Sequence, residues 1–362
     1  MAKLEYYVDP LSGSDTTGDG LSDGTAWQSI QHALNNITKN TADGDRINVK
    51  DTADDVLSAE LDFTTIGNYT QTHGLLIQGY TSTAGDGGIG GISGGGTTGI
   101  ITTVRNYIAF KDMHLHNTGS NNILDIVQGA LEGCEFDNSS STGNIVKVNE
   151  SSVCNCYFHN TDGNALYMNR GLAFGNYFKQ GGTYSFDTAL NLNALSCAVR
   201  NIISIDGASN GITSLGSSIS VMNNSILSAG GTGAGIEPDS LNYGSSFINN
   251  LVEGFSGTGG KGINKVNKDM MNYSHNSVYN CETDLASDGQ SIIAHDNESL
   301  GASPFAKTGA DTFENRFAHF APADVGNVLS GGLTGHTRGA VANSAGGGGG
   351  LLRVNMNGNV FG

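Results

Sequence analysis

One apolar residue returns every 20 to 26 positions through the middle of the chain, always in similar company. Leu115, Phe136, Phe158, Phe178, Ile203, Ile226, Val252 and Val278 mark it, at intervals of 21, 22, 20, 25, 23, 26 and 26. Two residues before each marker stands Met113, Cys134, Cys156, Asn176, Asn201, Asn224, Asn250 or Asn276, the last five all asparagine. Self-similarity at this period means one supersecondary unit per repeat, each burying its apolar side against the next, and so restricts the chain to a solenoid. A second strand-like segment recurs in most copies, marked by Ile123, Ile145, Ala165, Ile212, Ile236 and Ile263. Two or three short strands per coil, each alternating with period two, is the pattern of a parallel β-helix.

In such a stack, equivalent residues of adjacent coils lie about 4.8 Å apart, within reach for one carboxamide to donate to the next. Asparagine also tolerates left-handed backbone at bends. The row Asn176, Asn201, Asn224, Asn250, Asn276 is therefore expected to line an inside corner of the coil.

Composition agrees. Glycine is abundant (54 residues) without a three-residue period, which excludes collagen, and proline is scarce (4 residues). Charged residues make up only 14% and the formal net charge is −17. A nucleic-acid binder would carry a basic stripe, and none is present. Long-range attraction to acidic polysaccharides is also unfavourable unless a bound cation or a local basic pocket intervenes. The five cysteines, Cys134, Cys154, Cys156, Cys197 and Cys281, form no complete disulfide framework. Cys134 and Cys156 share a repeat position and are expected to stack as small buried hydrophobes. Cys154 and Cys156 lack the second pair that a zinc site needs. No apolar stretch of signal-peptide or membrane-spanning type occurs, so synthesis in a cytoplasm without routine export is expected.

The chain reads in three parts. Residues 1–44 are an N-terminal cap: a strand at Tyr6–Val8, a turn-rich loop, and a helix over Ala26–Ile37 with Thr25 as N-cap and Gln28 completing a capping box. Residues 45–342 are the β-helix, with irregular strands and a glycine-rich loop (85–99) before 106, clear coils over 106–280, and a closing region from 281 that loses the repeat. Residues 343–362 are a glycine linker and an apolar tail, Leu351, Leu352, Val354, Met356, Val360 and Phe361, expected to dock on an assembly partner.

Tyr6-Tyr7-Val8-Asp9-Pro10, the loop Gly13-Ser14-Asp15 to Gly20, and Thr25-Ala26-Trp27-Gln28-Ser29-Ile30-Gln31-His32-Ala33-Leu34 resemble the start of the right-handed parallel β-helix superfamily. That group includes pectate-lyase-like enzymes and phage tailspikes. Ala26 stands where proline is common there. Thr337–Val341 is similar to a closing motif of such domains, with Arg338 in place of an apolar residue. The resemblance implies an all-β fold, a right-handed single-stranded parallel β-helix with an N-terminal capping helix. It does not fix an activity, since lyases, hydrolases, epimerases and virion proteins share the fold.

Residues flanking each inward marker point out of the coil and build two columns. One reads His114, Glu135, Tyr157, Tyr177; the other reads His116, Asp137, His159, Lys179. The neighbouring strand adds Asp125, Lys147 and Tyr167. A polysaccharide lyase needs a base near the sugar's acidic C–H and a cation on its carboxylate, roles open to His159, Tyr157 and Lys179. A glycosidase needs two carboxylates, open to Glu135 with Asp137 or Asp125. A solvated face of a solenoid carries the same residue types without chemistry. Asp15, Asp19 and Asp23 form a weak Ca²⁺ candidate, with turn-forming aspartates as the simpler reading; no other cofactor is expected.

The function expected first is a phage virion protein: a spike, fibre or capsid decoration. It would be a homotrimer, attached to other virion proteins through the C-terminal tail and located on the virion, with host surface polysaccharide as a further candidate partner. Nucleic-acid binding and membrane insertion are not expected. The alternative is a polysaccharide lyase or glycoside hydrolase. A bacterial surface adhesin fits the sequence less well, because no export signal is seen.

Overall fold

The structure is a computed structural model. It describes residues 4–323 except 41–42, 68, 71–72, 97, 106, 120–121, 140–142, 182–184, 239–243, 266–270, 288–292, 308–309, 312–315 and 322, together with the backbone of 353–354 and 360–361. Two compact units divide the chain, the first ending at Cys156 and the second beginning at Tyr157. Each is a parallel β-helix with three strands per coil, and helix is confined to short segments.

In the first unit, Leu4–Val8, Asp45–Lys50, Leu75–Tyr80, Ile108–Lys111, Ala130–Glu132 and Ser152–Cys154 stack into one sheet. Its inward residues align as Tyr6, Ile47, Ile77, Phe110, Leu131 and Val153, all buried. A second sheet holds Asp54–Val56, Gly90–Ser93, Met113–Gly119 and Glu135–Ser139, and a third holds Ile101–Arg105, Leu124–Val127 and Asn144–Asn149. The strands before residue 106 are thus paired in parallel with the coils, with one register shift between Ile101 and Val104. The glycine-rich stretch contributes a strand of its own at Gly90–Ser93.

The second unit repeats the plan. One sheet runs from Leu172–Phe174 to Ile293–His295, a second from Tyr157–His159 to Glu298–Ser299, and a third from Gly163–Asn169 to Thr283–Ser287. Coiling therefore continues past residue 281 to Ser299, where the sequence suggested that it stops. Every inward marker from Leu115 to Val278 is fully buried. In the third sheet Ile123 and Ile145 keep register with each other, as Leu124 pairs with Val146, whereas Ala165 is one residue off the row of Ile212, Ile236 and Ile263: Leu166 pairs with Leu190, and Leu190 with Ile212.

The asparagine row is a continuous ladder. Each side-chain Nδ2 donates to the next Oδ1: Asn176 to Asn201 at 3.0 Å, Asn201 to Asn224 at 3.0 Å, Asn224 to Asn250 at 3.0 Å, Asn250 to Asn276 at 2.9 Å. Asn297 extends it at 2.8 Å. The second Nδ2 proton of Asn201 goes to the Ala173 carbonyl, and its Oδ1 also accepts from the Asn176 backbone N–H. All four hydrogen-bonding positions of this buried amide are filled, so desolvation is compensated. The ladder residues do not themselves take the left-handed bend. The residue before each does: Gly175, Arg200, Asn223, Asn249, His275 and Asp296 all have positive φ. That bend turns the chain from the first sheet into the second and aims the following side chain inward.

The N-terminal helix is shorter than the sequence suggested. It spans Ile30–Asn36, with Ser29 rather than Thr25 as N-cap, accepting from His32 N–H. Trp27 is drawn into a β-bridge with Val8 and stacks on Tyr6, which holds 26–28 extended. Ile30, Ala33 and Leu34 pack toward Leu4–Val8 and Asp45–Lys50.

Thr337–Val341 and the tail residues Leu351, Leu352 and Met356 lie outside the described residues. The backbones of Arg353–Val354 and Val360–Phe361 pair antiparallel.

Candidate active site

On the outer side of the second sheet of the first unit, the two columns form as the sequence predicts: Asp54, Gly91, His114 and Glu135 align, as do Val56, Ser93, His116 and Asp137. His114 and His116 leave one strand on the same side, and their rings stack at 4.2 Å with 4° between planes. His114 Nε2 lies 3.0 Å from Asp137 Oδ1, and His116 Nε2 lies 2.9 Å from Asp54 Oδ2. His116 Nδ1 is 3.9 Å from the same Asp137 oxygen. Burial opposes the charged form of His114, but the hydrogen bond and charge of Asp137, with Glu135 and Asp54 nearby, outweigh it and raise its pKa.

Asp54 is the member that sequence reading missed. It sits two strands away from His116 in the stack, and 62 residues away in the chain. It reaches across because the intervening position is Gly91: a Cβ there would lie 1.9 Å from Asp54 Oδ1. Asp125 is engaged elsewhere. It pairs in register with Lys147 and is bridged to it at 2.8 Å, on the third sheet.

The outward column of the second unit is not a solvated face. Tyr177, Ile202, Ser225, Leu251 and Ser277 are buried, and Leu300, Phe305 and Phe320 pack in one apolar cluster with Tyr177, Ile202 and Leu251. Tyr157, Leu227 and Tyr279 pack against the same cluster. Tyr157 stacks on His159 at 4.2 Å and on Tyr177 at 5.3 Å. Lys179 forms an ion pair with Asp311, which also accepts from Ser204 Oγ at 2.6 Å. Burial would raise the pKa of Asp311, but hydrogen bonds from Lys179, Ser204 and Tyr177 outweigh it and hold this carboxyl below its usual range. Glu253 is bound likewise, by Lys307 and by Ser303 Oγ at 2.6 Å. The expectation of an exposed polar face fails here because apolar outward residues such as Ile202 and Leu251 must be covered. Tyr167, in the third sheet, accepts from Asn193 Nδ2 at 2.9 Å.

Asp15, Asp19 and Asp23 serve three separate sets of partners. Asp15 accepts from the Gln28 and Ser29 N–H groups, Asp19 from Leu21 N–H and Thr25 Oγ1, and Asp23 binds Lys50 and Tyr80. Cys134 and Cys156 are buried as expected.

No protein-family description and no curated protein sequence matches the chain. Among solved structures it is similar to pectate lyase Pel9A, at 11% identity and TM-score 0.48, over 95% of this chain and 97% of that one. It is also similar to a GH136 lacto-N-biosidase from Eubacterium ramulus, at 12% identity and TM-score 0.47, over 82% of this chain and 67% of that one. A third is the pectin methylesterase of Aspergillus niger, at 10% identity and TM-score 0.36, over 92% and 95%.

Proposed function

We propose that the protein is a glycoside hydrolase acting on an extracellular polysaccharide, with its chemistry on the outer side of Asp54–Val56, Gly90–Ser93, Met113–Gly119 and Glu135–Ser139. The observation that carries this reading is the different fate of the two candidate constellations. The cation that a lyase would set against a sugar carboxylate, Lys179, is neutralised by Asp311 under a packed segment. The two carboxylates of a glycosidase, Glu135 and Asp137, remain half-buried at the surface beside two imidazoles.

Alternate residues of one strand lie about 6.5–7 Å apart. That falls within the roughly 6.5–9.5 Å between carboxyls of inverting enzymes. Asp137, oriented by His114, is assigned to take a proton from the attacking water. Glu135 is assigned to give a proton to the glycosidic oxygen as the C–O bond breaks. The test is release of reducing ends from a panel of neutral and acidic polysaccharides. Glu135→Gln and Asp137→Asn should each abolish release and leave the melting temperature near wild type. Wild-type protein that releases nothing from any polymer rejects the reading.

A second reading, a structural β-helix of a particle surface that binds glycans without cleaving them, is favoured by the covered face of the second unit. Glycan binding with no turnover is its signature.

A further inference from the structure

We propose that Asp54, His114 and His116 form a binding site for a divalent transition-metal ion of the zinc class, with Asp137 behind His114. These three residues each bring one ligand atom within 4.8 Å of the others, and no other such group of histidine, cysteine and acidic side chains occurs among the described residues. Metal–ligand bonds of about 2.0–2.2 Å place donors around a zinc ion roughly 3–4 Å apart, so the three ligand atoms lie close to coordination distance, and one of the two parallel rings must turn for both nitrogen lone pairs to meet at one ion. Asp54 is 40% exposed and His114 29%, which leaves both side chains room to adjust, whereas His116 is only 18% exposed.

The donor chemistry selects the ion. Two imidazole nitrogens and one carboxylate suit zinc and its first-row neighbours, whereas calcium and magnesium prefer all-oxygen sets. Three protein ligands also leave a coordination position for water or a sugar hydroxyl. Asp137 bonds to one nitrogen of His114 at 3.0 Å and fixes the plane of its ring, the part a carboxylate plays behind metal-bound imidazoles. The histidines are pre-stacked on one strand by the period of two, so their placement costs no reorganisation of the backbone.

Gly91 is the feature that marks the arrangement as built. Between Asp54 and His114 in the column, any side chain would fill the space that the Asp54 carboxylate uses. Gly91 has no positive φ that would demand glycine. Its lack of a Cβ is therefore explained by the room it leaves for Asp54.

The inference concerns metal binding alone and stands whether or not the protein cleaves glycans. The full chain, stripped with chelator, is titrated with zinc chloride by calorimetry and then with cobalt chloride by visible absorption. One ion per chain is expected, with cobalt bands of four- or five-coordinate intensity. A His114→Ala, His116→Ala double variant should lose the site, and Asp137→Ala should weaken it about 10–100-fold. Gly91→Ala, whose far-ultraviolet circular dichroism should match wild type, should weaken binding at least tenfold by displacing Asp54. Absence of stoichiometric binding overturns the proposal, and so does zinc affinity unchanged in the double variant or in Gly91→Ala.

Discussion

The hydroxyl of Tyr177 donates to Asp311 Oδ1 at 2.6 Å across 134 residues of chain. Tyr177 belongs to a coil, and Asp311 to a segment that follows the last one. The contact therefore fastens a non-repeating strap to a repeating surface, and Lys179 and Ser204 share the same carboxylate. Burial and this hydrogen bond together raise the Tyr177 pKa, so the phenol remains a donor at any physiological pH.

Asp311→Ala should destabilise the second unit by about 1.5–3 kcal/mol, the range for hydrogen bonds to a charged group. The folded pKa of Asp311 is depressed, so its stabilisation is present above the unfolded value of 3.8 and is lost as pH falls through the folded value. Thermal melts between pH 6 and pH 2 should converge for wild type and Asp311→Asn at the acid end. Parallel curves over that range would contradict the assignment.

Asn224→Ala removes one rung of the ladder and leaves the Oδ1 of Asn250 and the Nδ2 of Asn201 short of partners. The expected cost is about 1–3 kcal/mol. Denaturant unfolding measures it. Asn224→Asp should be worse than Asn224→Ala, since a carboxylate cannot donate and would be charged in a fully buried position.

His114 should titrate above 6.5 in the folded protein. The stability it contributes with Asp137 is then full below about pH 6.5 and declines as pH rises through the folded value. In Asp137→Asn the midpoint should fall, because burial then acts with less opposition. Chemical shifts of the ring protons against pH check this in metal-free protein, and equal midpoints in the two proteins would sink it.

The thiols should be inert in the native state. Burial pushes Cys154 up to about 12, and Cys197 and Cys281 up to about 11. Burial also raises Cys156 well above its ordinary value, with Cys134 beside it adding to the effect. A chromogenic disulfide reagent at pH 8 should react with these cysteines only as fast as the protein unfolds.

The coil, its inward markers and the asparagine row were legible in the sequence because each recurs with a distinctive residue. In the first unit the first-sheet strands at Tyr6–Val8, Arg46–Val49, Leu75–Gln78 and Ile108–Phe110 were legible too; the first sheet of the second unit was not. Its strands are as short as three residues, as at Leu172–Phe174 and Cys197–Val199, too short to display alternation. A fixed offset would have found them: Ala173, Ala198, Val221, Phe247 and Tyr273 each stand three residues before a ladder asparagine. The strap was readable in principle from outward apolar residues such as Ile202, Leu227 and Leu251, which a bare solvated face would not carry. His114, His116 and Asp137 fell in the predicted columns, whereas Asp54 did not. Register puts Asp54 in the column of Gly91 and His114, but its side chain crosses the empty place at Gly91 to reach His116 of the other column, a contact that register alone does not reveal.

Within the ladder, each amide is bonded to the rungs before and after it in the same way, whatever its distance from either end. Chain length thereby becomes a quantity that descent can adjust in whole turns. A duplicated or deleted segment of some two dozen residues beginning at a ladder position would lengthen or shorten the ladder and leave every surviving rung with its native partner type.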